Sequence, residues 1–280
     1  MSLTQKLGKR GRFSKVSRIE CMKQRVLIKI GGKAFEGKDG FKSLAKAIKS
    51  NKNAEFIIVH GGGAEISQAL KESDRKTEFI DGIRVTHAED IKIVEDVLSG
   101  KVNKRIAFIL DENGVLCKRM SGKTGRLFIV EPLIRNKRNF GYVGKIKQVN
   151  AKPVLHSLTD GQVPVVSPIS ADEKGASYNV NADSAAAALA VGSQCTDLIY
   201  FTDVPGVRVG KETRLSLTVR EAKELLADGT IKAGMVAKME SVFEALNGKV
   251  KRVHITQWHG EEILKNIIKN KSIKGTTIQL

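Results

Sequence analysis

Two lysines sit in apolar company where a charge is out of place. Lys29 interrupts Val26-Leu27-Ile28-Lys29-Ile30, and Lys238 lies within Gly234-Met235-Val236-Ala237-Lys238-Met239. A buried, unpaired ammonium is costly, and a lone lysine on an apolar helix is ordinarily a side chain that snorkels to the surface. Placed across one site from each other, the two would make a two-cation clamp. Phosphoryl transfer needs that kind of support, because its charge is spread over the moving group and little covalent chemistry falls to the protein.

Glycines follow the first lysine at Gly31 and Gly32, and a second run, His60-Gly61-Gly62-Gly63, follows Phe56-Ile57-Ile58-Val59. Either loop could be a tight turn. Glycine also lets backbone approach a ligand closely, and the amides of a following helix favour an anion. Two such loops after successive strands would face the same sheet edge. Arg84, in Gly82-Ile83-Arg84-Val85-Thr86, has the fork that matches a carboxylate. Asn179, Asn181 and Asp183 alternate ahead of an alanine-rich run; one of them could cap a helix, and three exceed what one cap requires. Phe201-Thr202-Asp203-Val204-Pro205-Gly206-Val207 reads as a further ligand-facing loop. Neither GxGxxG nor a complete P-loop is present, since the first glycine that Ser121-Gly122-Lys123-Thr124-Gly125 would need falls at Cys117. The five histidines lack metal-ligand spacing, so no protein-built metal site is expected.

Positioning these residues takes alternating strands and helices. Strands are expected at 26–30, 56–59, 163–167, 197–202, 252–256 and 276–280. Helices are expected at 41–50, 64–73, 89–99, 102–111, 151–159, 182–191, 235–247 and 261–269. Thr218-Val219-Arg220-Glu221 is a capping box for one more, with Gly229 beyond its end. The segment 114–150 reads as hairpins and loops near a site. Such alternation implies an α/β fold with a mostly parallel sheet, helices on both faces and ligands beyond the strands' carboxyl ends.

The chain has 280 residues, 41% of them hydrophobic, enough for a substantial core. No apolar run reaches the ~20 residues that cross a bilayer. Three cysteines without CxxC spacing point to a reducing cytoplasm. The net charge of +18 invites a nucleic-acid reading. The charges are dispersed, however, which suits a solvated basic surface that attracts anionic substrates. Residues 1–25 carry eight basic side chains against Glu20 alone. That segment reads equally as a flexible arm, a transit-like peptide or sequence upstream of a start at Met22.

In order, KIGGK, HGGGAEI, DGIRVT, GKVNK, GYVGKIKQVN, PVVSPI, YNVNADSAAAALA, LIYFTDVPGV, IKAGMVAKM and KGTTI resemble the amino-acid kinase family, most of all its branch that phosphorylates N-acetylglutamate. The resemblance spans Val26 to Leu280. It implies a three-layer αβα sandwich, ATP with Mg²⁺ carried mainly by the nucleotide phosphates, and transfer to the γ-carboxylate of N-acetyl-L-glutamate in arginine biosynthesis. A sibling kinase acting on carrier-bound aminoadipate or glutamate in lysine biosynthesis is the alternative. It implies that Lys29 and Lys238 stabilise the moving phosphoryl group while Asp183 holds both. Gly62, Gly63, Arg84 and Asn179 would bind the amino acid, with Arg84 on its α-carboxylate. Gly31 and Gly32 would give amides to the phosphates. Asp203, Val204, Pro205, Gly206 and Val207, with Thr230, Ile231 and Lys232, would hold the nucleotide, and the hairpin at 141–149 would close over the substrate. The implied organisation is a basic arm at 1–24, an amino-acid lobe at 25–195 and a nucleotide lobe at 196–280, in a homodimer. Lys33 and Ala64 depart from the family pattern. The N-terminal segment and residues 261–277 lack most of what accompanies arginine inhibition, so that property is not carried over.

Overall fold

The computed structural model of the chain describes residues 23–31, 35, 39–232 and 234–280. The basic segment 1–22, Gly32 and Lys33 lie outside the described residues. An eight-stranded sheet occupies the centre. In spatial order its strands are Ser216–Thr218, Thr276–Gln279, Arg252–Thr256, Asp197–Phe201, Gln24–Ile30, Ala54–His60, Val163–Ser167 and Cys117–Ser121. The first two run antiparallel to the other six. The Gln24–Ile30 strand pairs in parallel with Asp197–Phe201 on one side and Ala54–His60 on the other, so both glycine loops and the 202–207 loop leave the same edge.

Strand alternation sends successive side chains to opposite layers. Val26, Ile28 and Ile30 enter a core shared with Leu44, Ile66, Ile106 and Leu264. Leu27 enters the other, with Ala185, Ala190, Met239 and Val242. Lys29, two residues after Leu27, therefore faces the layer built by the helices Ala182–Gly192 and Gly234–Asn247. The small buried side chains Ala185 to Ala188 let the first of these lie close to the sheet. The capping box is realised in full at Val219–Ala227.

Two expectations are corrected. The segment 114–150 holds the expected hairpin, but it is also core. Cys117–Ser121 extends the central sheet, and Phe128–Arg135 pairs with Arg138–Val149 in a small closed sheet that also holds Ser170–Ala171 and Ser177–Val180. Its Phe128, Val130, Phe140 and Val143 are core residues, not loop residues. Second, the helices expected at 89–99 and 102–111 are one continuous rod. Ile91–Glu95 passes through a π-helical stretch, Asp96–Val102, into Asn103–Glu112. Gly100 lies between the two expected ranges. The rod runs on through it as a π-helical stretch, and the Arg119 guanidinium donates to the Ser99 carbonyl (2.9 Å) beside it.

That rod packs on a buried polar knot behind the second glycine loop. His60 is fully buried and pairs through Nδ1 with the Gly61 carbonyl (2.9 Å). Nδ1 must then be the donor, which leaves Nε2 to accept from Asn103 (3.1 Å). Asn103 also donates to the Val165 carbonyl and accepts from Arg119. Burial pushes the His60 pKa down from 6.5 to about 4, against the pull of its bond to Gly61. Because the unfolded chain takes up a proton below 6.5 and the folded one does not, this stability is complete above 6.5 and is lost as pH falls toward 4. His60 alone accounts for about 3 kcal/mol of that loss. Urea titrations across this range should show the midpoint of the His60→Gln variant depending less on pH than wild type; parallel profiles would contradict the assignment.

Candidate active site

Three elements bring one charge each to the carboxyl edge of the sheet. Lys29 is the last residue but one of the central strand, Asp183 lies in the first turn of the Ala182–Gly192 helix, and Lys238 sits one turn into Gly234–Asn247. The Asp183 carboxylate lies 2.7 Å from Lys29 Nζ through one oxygen and 2.6 Å from Lys238 Nζ through the other. Both lysines are buried. Burial alone would raise the Asp183 pKa; the two ammoniums override it and hold the carboxyl at about 2. Its place in the first turn of a helix helps in the same direction. Burial lowers the Lys238 pKa, opposed by Asp183. The triad carries a net positive charge. Gly31, two residues on, leaves room here: a Cβ at that position would crowd Lys29 Nζ where it now lies.

A cavity of about 360 Å³ has Asn181 and Ala182, the two residues before Asp183, in its wall. Gly62, Gly63, Arg84, Leu98, Val143 and Asn179 are among its walls. Arg84 is buried and fixed. It donates to the Gly63 carbonyl (2.9 Å), Ser67 Oγ (2.8 Å) and Thr77 Oγ1 (3.3 Å), and its guanidinium lies 4.7 Å from the centre of the Phe79 ring. Asn179 donates to Thr86 Oγ1 (3.2 Å). Asn181 is the helix cap, accepting from the amides of Asp183 and Ser184. The three alternating Asx residues thus divide the work between pocket wall, cap and triad. Gly62 is extended (φ 171), and its glycine is required by space: a Cβ would meet Leu98 Cδ2 at 2.8 Å. The π-helical rod therefore supports the pocket floor directly.

A cation pair bridged by a carboxylate, next to a cavity with a fixed guanidinium, suits an acid and a polyanion brought end to end. The amino acid kinase family model matches residues 24–257. The chain belongs to this family. An acetylglutamate kinase of Halothermothrix orenii is 40% identical over 205 residues, covering 71% of each chain. One of Geobacillus kaustophilus is 35% identical over 257 residues, covering 88% of this chain and 98% of its own. A solved structure of a Streptococcus mutans UA159 protein aligns with a TM-score of 0.78 at 28% identity, covering 92% of this chain and 99% of that one.

The family pattern points to residues that the structure groups unevenly. Lys29, Asp183 and Lys238 meet, and Gly62, Gly63, Arg84 and Asn179 share one cavity. The Gly31 amide donates to the Phe201 carbonyl (3.1 Å), so here it ties the strand ends together and the residue contributes room. Gly32 lies outside the described residues. Asp203 and Lys232 are exposed, Val204, Pro205 and Thr230 half-buried, and Gly206 buried. The Val207 and Ile231 side chains belong to the core, which leaves only their backbone to face a ligand. The Val207 amide already donates to Thr276 Oγ1 (2.8 Å), and a Cβ at Gly206 would crowd that hydroxyl at 2.6 Å. Sequence reasoning missed Ser67, Thr77 and Phe79, which aim Arg84. Ser67 could have been found, since it lies four residues beyond Gly63 on the same helix face.

Proposed function

We propose that the chain phosphorylates the γ-carboxylate of N-acetyl-L-glutamate with ATP. The observation that carries this is the Lys29–Asp183–Lys238 triad set against the Arg84 cavity. Arg84, already aimed by Ser67 and Thr77, takes the α-carboxylate of the acceptor in a forked pair. Asn179 and the glycines of the 61–63 loop fix the rest of the molecule, so that its distal carboxylate points at the triad. A carboxylate oxygen then forms a bond to phosphorus as the bond to the leaving diphosphate breaks. Lys29 and Lys238 stabilise the charge on the moving group, and Asp183 keeps the two cations apart at fixed positions. The 202–207 loop, which leaves the strand paired with that of Lys29 at the same sheet edge, and residues 230–232 are the proposed nucleotide side. Mg²⁺ held on the phosphates would neutralise part of their charge.

Hydroxamate formation from N-acetylglutamate and Mg-ATP should be robust, much slower with free glutamate or a carrier-linked aminoadipate, and abolished by EDTA. Arg84→Ala should raise KM for N-acetylglutamate about ten- to hundredfold. Preferred turnover of the carrier-linked acid would overturn the substrate assignment.

We further propose a homodimer formed along the Cys117–Ser121 edge. That strand ends the central sheet, and Phe108 and Leu116 beside it are 60% and 59% exposed. Light scattering should give the mass of two chains for wild type and of one for Phe108→Glu; a monomeric wild type would contradict it.

A further inference from the structure

Lys238 has a second contact, with a residue that neither the motifs nor the family pattern assigns. Its Nζ lies 4.9 Å from the centre of the Tyr200 ring. Tyr200 is fully buried, and its hydroxyl donates to the backbone carbonyl of Asp183 (3.2 Å). On the sheet, Tyr200 is the register partner of Lys29 across the parallel pair Gln24–Ile30 and Asp197–Phe201. Neighbours in register point to the same face. One side chain thus touches or flanks every member of the triad: Lys29 beside it, Asp183 at its hydroxyl and Lys238 over its ring.

We propose that Tyr200 is a positioning residue for phosphoryl transfer, whose ring face carries the Lys238 ammonium while its hydroxyl pins the helix turn that presents Asp183. The proposal rests on the kinase reading of the triad. Aromatic faces attract cations most when water is excluded, and both partners here are buried. The groups facing Lys238 are Asp183 from the Ala182–Gly192 helix, Lys29 from the central strand, Asp203 from the loop after Phe201, and Tyr200 from below. Burial pushes the lysine toward its neutral form, and Asp183 and Asp203 oppose this. The ring adds to that opposition without bringing a negative charge, since burial also holds the phenol neutral. A neutral support matters at this point, because another carboxylate would repel the incoming phosphates.

Weakening the ring's attraction lowers the Lys238 pKa further, so activity is lost at lower pH on the alkaline side. The test replaces Tyr200 with phenylalanine and then with singly, doubly and triply fluorinated phenylalanine, which drain the ring face at almost constant shape. Tyr200→Phe should melt close to wild type, and the fluorinated forms close to Tyr200→Phe. Along the series kcat should fall stepwise, by about tenfold in all, with KM for N-acetylglutamate unchanged and the alkaline limb moving to lower pH. Direct NMR titration of the lysine ε-methylenes should show the Lys238 pKa falling in the same order. A Lys238 pKa that stays constant across the series would overturn the role of Tyr200. This titration does not depend on what the protein phosphorylates. Failure of wild type to turn over N-acetylglutamate would defeat the substrate reading alone.

Discussion

One carboxylate between two ammoniums is the constraint around which the site is arranged. Asp183 is in ion-pair contact with Lys29 through one oxygen and accepts a hydrogen bond from Lys238 on the other, and both lysines are buried. Removing one partner of a buried ion pair costs about 3–5 kcal/mol, because the remaining charge is stranded. Here the stranded species would be two converging cations. The triad therefore holds its own geometry before any ligand arrives, which is what stabilising a transferring phosphoryl group requires.

The fold is organised to deliver those three charges from three independent elements. The sheet's middle strand brings Lys29 to the carboxyl edge, and two helices of one layer bring Asp183 and Lys238 down onto it. Around this, glycine provides clearance. Gly31 leaves space for the Lys29 ammonium and Gly62 leaves space for Leu98. The rod 91–112 and the His60–Asn103 knot stiffen the second loop from behind. An aromatic cluster lies beyond the same edge: Phe35 packs on Phe41, Phe201 and Trp258, and the neighbouring Gln257 donates to the Asp203 carbonyl (2.7 Å).

Much of this was legible in the chain itself. The alternation of strand and helix, the capping box at Thr218 and the charge inside an apolar strand are local signals with local causes, and each led to the right element. The misreadings came where tertiary contacts override local pattern. Residues 100–101 separate the two expected helices in sequence, yet the rod continues through them, with Arg119, distant in sequence, donating to the Ser99 carbonyl. The polar and basic residues at 117–121 hide a sheet strand, because an edge strand need not be apolar on both faces. Val207 and Ile231 sit among loop residues in sequence yet point into the core. Tyr200 is invisible as a site residue because a tyrosine in a buried strand reads as packing, and only the register places it beneath Lys238.

The central claim is that the triad acts on the moving phosphoryl group and not on binding of the acid. Single-turnover phosphoryl transfer in Lys29→Met and Lys238→Met, with N-acetylglutamate affinity measured by calorimetry on the same proteins, separates the two. Each variant should lose about 10²–10³ in the transfer rate with affinity for the acid preserved. A near-wild-type transfer rate, or a defect confined to binding of N-acetylglutamate, would contradict it.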